Sequence, residues 1–135
     1  MKPNRTMPPT SIIPELGYDD VGQAIDWLCA AFGFRVRWRA GDHRAQLSYG
    51  NGTIAVTESR YVAPGRSVLV RVDDVDAHRA QAAAHGARIL AEPADYPYGE
   101  RQYSAEDVGG NGWTFSESIG DVAPEDWGGT SVDLG

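Results

Sequence analysis
Along this chain the spacing of apolar residues switches between two periods, and it does so in the same order twice. In SIIPELGY (Ser11–Tyr18) the apolar positions read as a strand that Pro14 restricts to an edge or to an early position. In DDVGQAIDWLCAAFGF, residues Ala24, Trp27, Leu28, Ala31 and Phe32 follow helical spacing, with Asp19 or Asp20 to cap the start and Gly33 to end it. FRVRWRA, HRAQLSYG and TIAVTES then alternate with period two, punctuated by Gly41–Asp42 and Asn51–Gly52. After the loop RYVAPGR the order returns. SVLVRVDD is a strand, VDAHRAQAAAHGA an Ala-rich helix closed by Gly86, and RILAEPADY, ERQYSAED and WTFSES three more strands.

The order is therefore βαβββ, twice. Three markers repeat with it, about 55 residues apart. Asp-Asp-Val sits at each strand-to-helix junction, a glycine ends each helix, and Gly-Asn-Gly precedes each last strand. Any one of these is ordinary turn chemistry. All three in one order, on matching elements, indicate a duplicated unit. This predicts an α+β fold of two modules, residues 11–60 and 66–118, within one domain over residues 11–118. In SVLVRV, Val68, Val70 and Val72 share one face, and Ser67, Leu69 and Arg71 the other. Trp113 and Phe115 likewise alternate with Thr114 and Ser116. The apolar faces are expected to pack on the helices. The other faces are expected to line a cup formed by two curved sheets placed edge to edge, a default site for a ligand.

Composition narrows the partners. The chain has 135 residues and a formal charge of −7, which disfavours a phosphate backbone, so no nucleic-acid partner is expected. Its single cysteine, Cys29, excludes an internal disulfide and suits a reducing, cytoplasmic setting. It reads as a small buried hydrophobe in a helix. No apolar run reaches the ~20 residues of a membrane span. Residues 1–10 hold three prolines and read as an arm. They lack the apolar stretch of a secretory signal. Residues 119–135 read as a Gly- and Asp-rich tail that Trp127 could anchor.

The phrases LGYDDVGQAIDWLCAAFGFRV, VRVDDVDAHRAQAAAHGARI and YGERQYSAEDVGGNGWTFSES together resemble the vicinal oxygen chelate superfamily of glyoxalases, extradiol dioxygenases, fosfomycin-modifying enzymes and bleomycin-type antibiotic-binding proteins. The resemblance covers residues 11 to 118. It implies the curved-sheet cup, frequent homodimers with cups formed between chains or by swapped modules, and, in the enzymes, a divalent metal held by His, Gln or Glu. Counted from the repeated motifs, the implied ligand positions fall at Ile13, Ser67, Thr114 and near Ala55. None carries a usual donor for such an ion. The expectation is thus no metal, no cofactor and no catalytic residue, with a displaced metal site at Glu15 or Glu58 as the alternative, serving a lyase or dioxygenase. His43, His78 and His85 read as surface or helix-end residues. No nucleophile motif or phosphate loop is present.

The metal-free members implied by the resemblance are binders. Candidate ligand contacts are the rings of Trp38, Tyr49, Tyr96, Tyr98 and Tyr103 and the side chain of Leu69, with Glu15, Ser67, Arg71 and Thr114 to orient polar edges. A charge at Arg71 needs a carboxylate, with Glu15 a candidate, or a ligand anion. The expected function is a cytoplasmic, homodimeric binder of a partly aromatic natural product or antibiotic. A regulatory subunit with a vestigial cup is a third reading.

Overall fold
The computed structural model describes residues 2–133. Met1 of the expected arm and Leu134 and Gly135 of the expected tail lie outside the described residues. The element order is β1 (Glu15–Tyr18), α1 (Val21–Phe32), β2 (Arg35–Ala40), β3 (Arg44–Tyr49), β4 (Gly52–Glu58), then β5 (Ser67–Arg71), α2 (Val75–Ala84), β6 (Arg88–Tyr96), β7 (Glu100–Glu106) and β8 (Gly112–Ser118). A short 3-10 helix, Pro124–Trp127, follows. The strands form two four-stranded sheets, β1-β4-β3-β2 and β5-β8-β7-β6, so each module repeats the other's topology. In each, the first strand pairs in parallel with the last, and the rest are antiparallel.

Local chemistry is repeated too. The second aspartate of each Asp-Asp-Val caps its helix: Asp20 accepts from the Gln23 amide at 3.0 Å, and Asp74 from the Ala77 amide at 3.0 Å. Gly33 closes α1 in the left-handed conformation.

No hydrogen-bonded strand pair joins the two sheets among the described residues, so the expected edge-to-edge join is not made within the chain. β1 and β5 each end a sheet. The halves are joined through their helices instead. Trp27 Nε1 donates to the His85 carbonyl at 2.8 Å, and Gln81 Nε2 to the Ala30 carbonyl at 2.9 Å. The buried Phe32 ring of α1 meets Trp113 and Phe115 of β8 edge-on, at 5.3 and 4.8 Å. One core runs from Leu16, Leu28 and Leu47 to Tyr103, Ala105 and Phe115. Burying it across both halves is what a chain of this size needs to fold without crosslinks.

Buried polar groups register this join. Asp107, in the loop before β8, accepts four hydrogen bonds. Tyr18 Oη of β1 donates to it at 2.5 Å and Trp113 Nε1 at 2.9 Å, while the amides of Gly109 and Asn111 donate at 2.9 and 3.0 Å. Burial, and then the Asp107 charge, push the Tyr18 phenol far above its ordinary pKa, so it stays a donor. Gly109 is required here: a Cβ would lie 2.4 Å from the Tyr18 ring. Asn111 Oδ1 accepts from the amides of Gly65 and Arg66 and so fastens the loop between the modules.

His78 makes a second pin. Its Nε2 lies 3.1 Å from the Phe32 carbonyl, which can only accept, so Nε2 carries the proton. Nδ1 then accepts from Tyr103 Oη at 2.5 Å. Burial lowers the His78 pKa, and the bond to Phe32 opposes this only partly. Burial raises that of Tyr103.

Two outcomes are expected. Asp107→Asn turns an NH2 group toward donors and should cost about 3 kcal/mol of unfolding free energy, with Tyr18→Phe costing about 1–2 kcal/mol, both read from urea melts. In the Asp107→Asn background the Tyr18→Phe cost should shrink, because the two share a network. For His78, the unfolded state binds more protons below its ordinary pKa of 6.5, so the fold should lose stability as pH falls through that value. Melts at pH 7 and pH 5 should show a smaller loss in His78→Gln than in the parent.

Candidate functional site
In each sheet the face turned away from the helices is set by strand register. On the second sheet, Leu69, Thr114 and Ser104 lie across one row, and Arg71, Ser116 and Gln102 across the next. Apart from Leu69, their side chains are polar and hydrogen-bonded to neighbours on the same face. Tyr98 Oη donates to Gln102 Oε1 at 3.2 Å, Gln102 Nε2 to Ser116 Oγ at 3.0 Å, and Ser116 Oγ to Glu100 Oε1 at 2.7 Å. Ser104 and Thr114 share a hydroxyl–hydroxyl bond at 3.0 Å. Arg71 donates to Ser118 Oγ at 2.9 Å. The Ser118 and Ser116 hydroxyls, aided by the Arg71 charge, hold the Glu100 carboxyl below its ordinary pKa. Such a carboxylate is a good acceptor and a poor base at neutral pH.

An aromatic rim stands beside this surface. Tyr96 and Tyr98 stack at 5.4 Å with planes 11° apart, and Trp127 of the tail meets Tyr98 edge-on at 5.7 Å. Trp127 therefore does anchor the tail. At the other end, a cleft of about 500 Å³ lies between β5 and the β3–β4 hairpin of the first module, lined among others by Ile12, Phe34, Tyr49, Leu69 and Arg71. Leu69 is 63% exposed there.

The sequence candidates thus divide. Leu69, Arg71 and Tyr49 meet at the cleft, Ser67 is exposed at the head of β5, and Thr114, Tyr96 and Tyr98 belong to the open face or its rim. Glu15, exposed on the first sheet, pairs with Arg44 at 3.3 Å and not with Arg71. Trp38 lies on the first sheet beneath the N-terminal arm, donating to the Thr6 carbonyl at 2.8 Å. Tyr103 is 1% exposed, on the helix side with its hydroxyl on His78, so it faces away from the open surface. The open face and its rim also include Glu100, Gln102, Ser104 and Trp127, which the sequence does not single out as contacts. Strict alternation through ERQYSAE would have selected Glu100, Gln102 and Ser104 in place of Tyr103.

The donor set does not fit a divalent metal. On the first sheet Glu15 lies opposite Ala55, which has no donor, and its charge is paired to Arg44. Glu58 faces Arg60 and His43 at the strand end. No group of three or more His, Cys, Asp or Glu side chains is placed to hold an ion among the described residues. No helix among the described residues is long and apolar enough to cross a membrane.

Known proteins agree with this architecture. The chain is similar to TioX from Micromonospora sp. ML1, with 34% identity over 82% of this chain and 99% of that one, at a TM-score of 0.73. TnmS3, an antibiotic binding protein from Streptomyces sp. CB03234, shares 23% identity over 83% of this chain and 99% of its own, at a TM-score of 0.68. Lactoylglutathione lyase from Agrobacterium tumefaciens shares the fold at 18% identity, covering 82% of this chain and 96% of its own, with a TM-score of 0.65. No curated protein matches the sequence. The family profile described as Glyoxalase/Bleomycin resistance protein/Dioxygenase superfamily matches residues 11–115, most of the chain, and the protein belongs to that superfamily.

Proposed function
We propose that this protein binds a partly aromatic, drug-sized molecule and sequesters it unchanged, without a metal. The observation that carries the reading is the second sheet's open face. It offers hydroxyls, an amide, a guanidinium and an ionised carboxylate, all already hydrogen-bonded to one another, beside stacked aromatic rings. A preorganised surface of this kind orients polar edges while the rings take a flat face. Its carboxylate, Glu100, is held below its ordinary pKa and is a poor base at neutral pH. The fold shared with an antibiotic-binding protein supports the same reading.

We also propose that the protein works in the cytoplasm as a homodimer. β5 ends its sheet with Leu69 exposed, and Ile12 across the cleft is 82% exposed. A strand edge beside exposed aliphatic residues favours pairing with a second copy.

Four measurements test these proposals. Tryptophan quenching across a panel of aromatic antibiotics should reveal a binder whose affinity falls about tenfold in Tyr98→Ala and in Gln102→Ala, a change of about 1.4 kcal/mol. Mass spectrometry should recover that compound intact. Protein purified without chelators should hold no stoichiometric divalent ion. Such an ion bound by side chains, or a converted compound, would favour the lyase or dioxygenase reading. Sedimentation should give a dimer that Leu69→Glu weakens.

A further inference from the structure
The two open faces differ in a way their shared topology does not require. On the first sheet, Gln46, Thr53, Ala55 and Thr57 point away from the helices, yet they are only 5, 7, 4 and 2% exposed. Of their counterparts by register on the second sheet, Ser104, Gly112 and Thr114 are half-buried, while Ser116 is buried like Thr57. The chain's own N-terminal arm contributes to that cover. Pro8 is buried, Trp38 Nε1 donates to the Thr6 carbonyl at 2.8 Å, Arg37 donates to the Met7 carbonyl at 3.5 Å, and Met7 Sδ lies 3.9 Å from Gln46 Nε2. A turn at Asn4, closed by its side chain to the Thr6 amide and by its carbonyl to the Met7 amide, shapes the arm for this contact.

The fit is incomplete. Thr10 Oγ1 is buried with no hydrogen-bond partner. Beside it a hollow of about 340 Å³ separates Pro9 and Thr10 from Ser48 and Thr53 of the sheet. The arm is held mainly by sheet side chains reaching its backbone carbonyls, and it makes no ion pair with the sheet among the contacts described. Such a segment is bound, and a better partner can displace it. Its prolines lower the entropy lost on docking, which keeps a short tether competitive.

We propose that residues 6–10 are a tethered occupant of the first sheet's open face, and that a planar aromatic ligand gains that face only when the arm leaves. This adds the first sheet's face to the binding surface proposed above on the second sheet, and rests on that reading for the ligand's aromatic character. The arm contact itself stands apart. A tethered segment competes at an effective concentration near the millimolar range. It divides the intrinsic affinity by the fraction of molecules whose arm is released.

The test compares the parent with a variant lacking residues 2–10 and with full-length Pro8→Glu, which drives a charge against the covered face. The Trp38 indole proton is followed by NMR, with the Trp113 indole as an internal check because its bond to Asp107 reports an intact fold. The probe is the fluorescent anion 8-anilinonaphthalene-1-sulfonate. In both variants the Trp38 resonance should move while that of Trp113 stays. The probe should bind about 10-fold more tightly. A synthetic peptide of residues 2–11 should restore the Trp38 position in the deletion variant and displace the probe. An unmoved Trp38 resonance, or probe binding that the peptide does not oppose, overturns the proposal. With Tyr98→Ala in both backgrounds to remove binding at the second sheet, a probe held equally by parent and deletion variant overturns it as well and leaves sequestration standing. A moved Trp38 and peptide competition, with no antibiotic bound by either form, sustains the arm and removes the sequestration reading.

Discussion
One buried carboxylate sets the relation between the two halves. Asp107 gathers a phenol from the first strand, an indole from the last and two amides of its own loop, all as donors. Each donor is buried or half-buried, so a shift of one half against the other would leave several polar groups unpaired at once. Apolar contact between Phe32, Trp113 and Phe115 supplies attraction but tolerates sliding. The hydrogen-bond geometry at Asp107 does not, and it places β1 against the loop that starts β8.

The duplicated unit has kept its topology while its repeated phrases have taken different work. The first Gly-Asn-Gly is a tight hairpin, with Tyr49 opposite Gly52. The second is built into the Asp107 loop, where Asn111 reaches the linker and Gly109 makes room for Tyr18. The two Asp-Asp-Val phrases, by contrast, do the same job, because a helix N-terminus needs the same acceptor wherever it occurs.

That contrast shows why part of the molecule was legible in the sequence and part was not. Helix caps, strand alternation and element order depend on neighbours in the chain, and residues such as Asp20, Gly33, Val68 and Phe115 declare them locally. Trp127 was legible as an anchor because a large aromatic in a Gly-rich tail has few other uses. The partner of Arg71 was not legible. It is Ser118, with Glu100 nearby, because the return of β8 sets it beside the end of β5. Tyr103 was misplaced for a simpler reason: a tyrosine suits either face, and only parity with Gln102 and Ser104 assigns it to the helix side. The cover over Trp38 and Gln46 depends on where a Pro-rich arm falls, and no periodicity encodes that.

Divergence of the two faces also bears on chemistry. A metal site in a paired-module cup draws donors from both halves toward one centre. Here the first half presents Ala55 and Thr53 beneath the arm, and commits Glu15 to Arg44. The second half presents serines, a threonine and a glutamine bonded to one another. Hydroxyls and amides already satisfied by each other hold a shape well. A surface like that discriminates between ligands by fit and by hydrogen-bond pattern.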